Sequence, residues 1–242
     1  MVTLITGASR GIGRAIAQEL AEASHDLILV AKSETHLAIA QTSISARAGQ
    51  RIVTFACDLS DPMSPAHLYS FAEREGLDVN ALVLGAGIFI EGSLTTSSVD
   101  DLNATLRVNL TSAFTVVSAF IKKLRNSKSP RIILIGSTAG AEPYPTGALY
   151  GVSKWALRGF AANLRSELRK DGVAVTLISP GGTLTDLWSD DDVPEGRLLE
   201  PRDIAKVVKV CFELSPQAVV EEVVVRPMLG DLHGDDGLQH DK

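Results

Sequence analysis

Tyr150 and Lys154 stand four residues apart in the stretch Tyr150-Gly151-Val152-Ser153-Lys154. In a helix that spacing puts both side chains on one face, one turn apart. A phenol ionises at roughly 10 in water, too high for ready proton exchange near neutrality. An ammonium within a few ångströms favours the phenolate and lowers that value. A tyrosine tuned in this way can give or take a proton at a carbonyl or alcohol oxygen. The same spacing also arises by accident on solvated helix faces, so its weight depends on the rest of the chain.

The first companion lies at the amino end. Val2 to Thr6 is a short β-branched apolar run, the pattern of a strand buried on both faces. It runs into Thr6-Gly7-Ala8-Ser9-Arg10-Gly11-Ile12-Gly13, and an amphipathic stretch with Ile12, Ile16 and Leu20 on one stripe follows. Strand, glycine turn and helix are what a phosphate site requires. Gly7 permits the tight turn, while Gly11 and Gly13 let a pyrophosphate approach the backbone and the helix pack on the sheet. The helix N-terminus adds free amides and a favourable dipole. The spacing is Gly-x-x-x-Gly-x-Gly, not the commoner Gly-x-Gly-x-x-Gly. It marks Gly7, Ser9, Arg10, Gly11, Ile12 and Gly13 as dinucleotide contacts. The second strand, Leu27 to Ala31, ends where such a fold selects its adenosine ribose. A carboxylate there would bond a free 2′-hydroxyl, and a cation would suit a 2′-phosphate. The chain has Ala31, Lys32 and Ser33, and Arg10 can reach the same phosphate. Two cations and no carboxylate favour NADP(H) over NAD(H).

Other strand ends carry further candidates. Asp58, after the third strand, can accept from an adenine amino group while the amide of Leu59 serves a ring nitrogen; Ser60, Asp61 and Pro62 equally suit a turn. Gly85, Ala86 and Gly87 follow the fourth strand and leave room for a ribose against the backbone. Asn109 sits among Val108, Leu110, Ala113 and Phe114 in a long helix, so it needs buried partners. It either kinks the helix or holds an active-site water. Ser137 stands at the carboxyl end of the fifth strand, where ligands bind in open α/β sheets, and is placed to bond a substrate oxygen.

Those residues need elements to hold them. The apolar runs and helical stretches alternate: strands near 2–6, 27–31, 51–55, 80–85, 131–135, 173–179 and 219–225, helices near 11–23, 35–48, 64–75, 100–124, 149–170 and 201–214. This predicts an α/β fold, one doubly wound, Rossmann-like parallel sheet of about seven strands with helices on both faces. Residues 1–230 form a single dinucleotide-binding and catalytic domain in this reading, and 231–242, polar and glycine-rich, a disordered tail. With 242 residues, 45% of them hydrophobic, the chain can bury a sizeable core. A net charge of −6 and no basic cluster argue against nucleic acid. No apolar run reads as a membrane span, and the first strand leaves no room for a leader, so cytoplasm is the default. Cys57 and Cys211 are far apart in apolar surroundings and are expected to be buried thiols, not metal ligands. The acidic run Ser189 to Asp192 has no histidine beside it and is expected to be a solvated loop.

Taken together, these motifs resemble those of the short-chain dehydrogenase/reductase family over about residues 1 to 230. Thr6-Gly7-x-x-x-Gly11-Ile12-Gly13 matches the family's cofactor turn, and Asp58 stands where it contacts adenine. Asn109, Ser137, Tyr150 and Lys154 match its catalytic four, Ser137 lying thirteen residues before Tyr150. Pro180-Gly181, Thr183 and Thr185 match its nicotinamide segment. One departure stands out: Leu84-Gly85-Ala86-Gly87 replaces Asn-Asn-Ala-Gly. Both asparagines are lost, and with them the side-chain bonds they would make to neighbouring strands, so a stability cost more than lost activity is expected. The resemblance implies hydride transfer between NADP(H) and a carbonyl or secondary alcohol. Tyr150 would be the general acid and base, Ser137 would hold the oxygen, and Lys154 would lower the Tyr150 pKa and bond the nicotinamide ribose. Asn109 would orient a water that refills the proton. It also implies a homodimer or homotetramer built through the two long helices.

The substrate is less defined. Ile88 to Ile90, Ala139, Tyr144 and the Leu187 to Leu199 loop are expected to wall its pocket, and Arg197 is the candidate for an acid group. The short loop suits a small or open-ended carbonyl compound, as in a general carbonyl reductase. A 3-oxoacyl-thioester reductase or a small hydroxy-acid dehydrogenase is the alternative. A non-catalytic dinucleotide-binding regulator would normally lack the tyrosine or the lysine, and this chain has both.

Overall fold

The computed structural model describes residues 1–44, 46–144, 147–188 and 193–231. Among them, seven parallel strands form one sheet in the order β3-β2-β1-β4-β5-β6-β7. They are β1 (Val2–Thr6), β2 (Asp26–Ala31), β3 (Ile52–Ala56), β4 (Val79–Leu84), β5 (Arg131–Ile135), β6 (Ala174–Pro180) and β7 (Glu222–Val225). The order reverses between β1 and β4, which opens a crevice at their carboxyl ends, the place where such sheets bind ligands. The central strands show no polar alternation: Leu27 to Val30 and Ala81 to Val83 are fully buried, because helices cover both faces.

One face packs under α1 (Gly11–Glu22), α2 (Glu34–Ser43) and α7 (Pro201–Glu213), with Ile16, Leu20, Leu37, Ile204 and Val208 in its core. The other packs under α3 (Ser64–Arg74), α5 (Ser112–Arg125) and α6 (Ala148–Leu168), with Leu68, Val116, Phe120, Leu157 and Leu164. The expected doubly wound sheet is therefore the observed one.

Several expectations need correction. The helix after β2 ends at Ser43, not Ala48, because Ile44 turns extended (φ −84°, ψ 122°) and buries its side chain against α1 and β2. The last strand starts at Glu222, not Val219. The long helix before β5 is not continuous α-helix: α4 (Val99–Leu106) passes through a π-turn at Arg107–Thr111 into α5. Its Val99–Arg125 span is long and apolar enough, by length and composition, to cross a membrane, contrary to the sequence reading. That apolarity is used in the core, where Val116, Val117, Phe120 and Leu124 are buried. Cys211 is buried as expected, while Cys57 is only half-buried. Asp231, assigned to the tail, is buried and bonded. The acidic run Ser189 to Asp192 and the remainder of the tail lie outside the described residues.

Candidate active site

The glycine turn is built by close backbone approach. Gly7 has φ +70°, and a Cβ there would meet the carbonyl oxygen of Gly85 at 2.7 Å. A Cβ on Gly13 would collide with the carbonyl oxygen of Gly7, so α1 seats on the turn only because position 13 is glycine. Gly11 (φ +52°) faces the Thr185 methyl, 3.0 Å from where its Cβ would be. The turn after β1 and the segment after β6 thus form two walls of one narrow cleft. Ile12 anchors in the core, while Ser9 stays half-buried at the turn and Arg10 is exposed. Bare backbone on one wall, a helix N-terminus behind it and threonines opposite fit the pyrophosphate of a dinucleotide. Here the hydroxyl of Thr6 accepts from the amides of Gly85 (3.1 Å) and Ala86 (3.2 Å). A bond from β1 therefore ties this turn in place without the two asparagines.

Both cations expected at the 2′-phosphate hold carboxylates. Lys32 pairs with Asp58 at 2.8 Å and Arg10 with Asp186 at 2.9 Å. Both pairs are exposed and screened by solvent, so each is weak and displaceable. Asp58 also accepts from the amide (2.9 Å) and hydroxyl (2.7 Å) of Ser60. Lys32 and these bonds pull its carboxyl down to about 2. The turn reading of Asp58 is the one these bonds show. Leu59 buries its side chain in the core.

Asn109 explains the π-turn. One extra residue in the helical turn directs its side chain inward, where it is 2% exposed. Oδ1 accepts from the Ile88 amide at 2.8 Å, and Nδ2 donates to the Ile88 carbonyl at 3.0 Å and to the Ser153 hydroxyl at 2.9 Å. Both amide hydrogens are thereby taken. The kink reading holds, and the side chain acts as a clamp on Ile88 and α6. Gly87 lies against the same point: a Cβ there would be 3.4 Å from Asn109 Oδ1 and 3.9 Å from Lys154 Nζ.

Tyr150 and Lys154 lie on one face of α6, as the spacing requires. Ser137, after β5, accepts from the Ala139 amide at 3.2 Å and stands near enough to Tyr150 to act on its phenol. Gly140 lets the 138–140 turn rest on α6, since a Cβ would be 2.8 Å from the Lys154 carbonyl. Lys154 is 6% exposed, donates to the Ile135 carbonyl at 3.0 Å, and has Nζ 5.3 Å from the centre of the Tyr150 ring. Burial lowers its pKa to about 8. Lys154 is not among the influences that shift the Tyr150 phenol. Burial raises the phenol, and the opposing influence is Ser137.

Phe89, within the expected wall, meets Tyr150 edge-on at 5.4 Å and Tyr144 at 6.1 Å between ring centres. The wall beside the phenol is therefore aromatic. A bridge between Gly92 and Gly147 holds its two sides together. Arg197, offered for an acid pocket, instead donates to the carbonyls of Gly230 (2.6 Å) and Asp231 (3.5 Å). After β6, Thr183 is buried and donates to the Gly181 carbonyl at 2.9 Å, and Pro180 is buried at the strand end. Sequence reasoning missed Thr6, Ser153 and Asp231. Thr6 was visible inside the glycine motif; the other two had no local signal.

A profile of the family described as short chain dehydrogenase matches residues 1–195. The chain is 32% identical over 242 residues to a sepiapterin reductase of Chlorobaculum tepidum, covering 97% of this chain and 99% of that one. It is 33% identical over 217 residues to a 3-oxoacyl-[acyl-carrier-protein] reductase of Escherichia coli, covering 86% and 87%. An alcohol dehydrogenase of the archaeon Thermococcus sibiricus, solved with 5-hydroxy-NADP, superposes with a TM-score of 0.86 at 28% identity, covering 96% and 98%.

Proposed function

The chain belongs to the short-chain dehydrogenase family of oxidoreductases, and on that premise we propose that it interconverts a carbonyl and a secondary alcohol with NADP(H). The observation that carries this is the convergence of Ser137, Tyr150 and Lys154 beside a cleft walled by Gly7, Gly11 and Thr185. Gly7 to Gly13 and Gly85 to Gly87 would hold the dinucleotide backbone, Asp58 and Leu59 the adenine, and Pro180 to Thr185 the nicotinamide. Lys32 and Arg10 would take the 2′-phosphate in exchange for Asp58 and Asp186. When bound, the nicotinamide supplies or accepts the hydride.

The chain's own part is proton chemistry and placement. Ser137 holds the carbonyl oxygen. Tyr150 gives that oxygen its proton in reduction and removes it in oxidation. Lys154, with a pKa of about 8, stands close enough to neutrality to pass the proton on. Asn109 fixes the Ile88–Phe89 segment against α6, which sets the substrate wall relative to the phenol. The Phe89–Tyr144–Tyr150 wall favours a flat, conjugated carbonyl compound over a flexible acyl chain. A homo-oligomer goes with this reading, because Phe114 on α5 and Val152 and Trp155 on α6 are about half exposed.

The deciding assay follows NADPH and NADH oxidation with aryl ketones, alkyl ketones and 3-oxoacyl thioesters, with Tyr150→Phe as control. The expected result is turnover that prefers NADPH and aryl ketones and falls by about a hundred- to a thousandfold in the variant, while NADPH affinity is kept. Wild-type-like turnover by Tyr150→Phe would remove the tyrosine from its role. A kcat/KM higher with NADH would overturn the cofactor preference.

A further inference from the structure

We infer that Asp231 is a positioning residue for the Pro180–Thr185 segment, tying the chain beyond β7 to the loop after β6. The inference rests on the reading above, that this segment holds the nicotinamide half of the cofactor.

Asp231 is 8% exposed, although it lies near the carboxyl end of a polar stretch. Its Oδ1 accepts from the main-chain amide of Gly182 at 3.2 Å. Its Oδ2 pairs with Arg226, and the other end of that guanidinium donates to Glu142 Oε1 at 2.6 Å. One carboxylate therefore links the loop after β5, the loop after β6 and the chain after β7. The main chain is held as well, because Arg197 donates to the carbonyls of Gly230 and Asp231. Gly181 completes the fit: a Cβ there would collide with Asp231 Oδ1. Glycine at 181 is thus required by the incoming carboxylate. The Gly181 amide donates to the Val225 carbonyl at 2.7 Å, so the first residues after β6 are fixed from β7 and from Asp231 together. Two residues further on, Thr183 donates back to the Gly181 carbonyl, and Thr185 faces the cleft wall formed by Gly11. Losing the carboxylate would free Gly182 and leave Arg226 with Glu142 alone. The segment that aims the nicotinamide would then lose its outer tether, while the adenosine end of the cleft, at Lys32 and Asp58, would be untouched.

That asymmetry gives the test. Asp231→Asn keeps an acceptor for Gly182 but no charge for Arg226; Asp231→Ala removes both. Dissociation constants are measured for NADPH by its fluorescence, and for 2′,5′-ADP, the adenosine half alone, by calorimetry; kcat is measured alongside. The expected result for Asp231→Ala is an NADPH affinity and a kcat each lower by about tenfold, the scale of a modest misplacement, with the 2′,5′-ADP affinity within about twofold of wild type. Asp231→Asn should fall between, and Gly181→Ala, which displaces the carboxylate without removing it, should show the same split. NADPH affinity and kcat unchanged in all three variants would overturn the inference. So would a parallel loss of 2′,5′-ADP affinity, which marks a general structural role. A wild type that binds neither NADPH nor 2′,5′-ADP would instead overturn the cofactor reading, and this inference with it.

Discussion

At the scale of single residues, the core penalises the charge of the buried lysine. Lys154 has its pKa lowered from 10.5 to about 8 by burial, with the Ile135 carbonyl as acceptor. Between those two values the unfolded chain keeps the proton and the folded chain releases it, so stability rises with pH across that window. Below pH 8 the folded state carries the whole cost of a buried charge, about 3 kcal/mol by linkage. The lost hydrogen bond in Lys154→Met returns ~1 kcal/mol of this. Lys154→Met is therefore expected to be more stable than wild type at pH 7, while inactive, with the advantage shrinking between pH 8 and 10.5. Denaturant midpoints of both proteins at pH 7 and pH 10 measure it, and a gap that does not change with pH would contradict it. The types and spacing of Ser137, Tyr150 and Lys154 were legible in the sequence, because i to i+4 geometry is local. Their protonation was not. The sequence reading let Lys154 act on the phenol as a nearby charge, whereas burial by the whole surrounding core disfavours the charged form of each group, raising the phenol and lowering the ammonium.

Among the elements, the π-turn carries the most information. An asparagine in a helix interior is unfavourable unless its side chain finds partners, and Asn109 finds three bonds on two neighbouring segments. Asn109→Leu removes them all and leaves the Ile88 amide and carbonyl without that partner. The expected cost is about 2–3 kcal/mol, the range for orphaned buried polar groups. A kcat loss of more than about tenfold should accompany it, because the Phe89 wall is no longer fixed against Tyr150. Chemical denaturation and steady-state kinetics on one preparation check both, and a variant with wild-type stability would exclude the clamp. Asn109→Asp should also fail, since a carboxylate cannot donate to Ile88 or Ser153. The sequence showed an asparagine that needed partners but could not show which. Ile88 is 21 residues away and Ser153 is 44, and only the packed sheet brings them together. The same limit hid Asp231: its partner Gly182 is 49 residues distant, and a short polar stretch near the carboxyl end reads as a tail.

For the whole molecule, the strand order follows from alternating strand and helix signals and the right-handed crossover. What the apolar pattern could not separate is core from contact surface, since both use the same residue types. On α6, Leu149, Leu157 and Ala161 face the core and Tyr150 and Lys154 the cleft, while Val152 and Trp155 project outward, 53% and 50% exposed. On α5, Phe114 is 54% exposed and meets Phe160 of α6 with ring centres 5.8 Å apart. Aromatic side chains left in water on two adjacent helices fit an interface between copies of this chain, and tryptophan is the residue type that most often dominates one. The helix that would be covered is the one that carries Tyr150 and Lys154, so association would stiffen that face from behind. Light scattering at micromolar concentration should therefore give a dimer or tetramer. Trp155→Glu places a charge in the buried centre and should weaken association by at least about thirtyfold, the equivalent of a 2 kcal/mol hot spot. Turnover should fall on dilution of the variant at concentrations where the wild type is still assembled. A wild-type monomer would rule out the interface, and an assembled Trp155→Glu would place it on another surface.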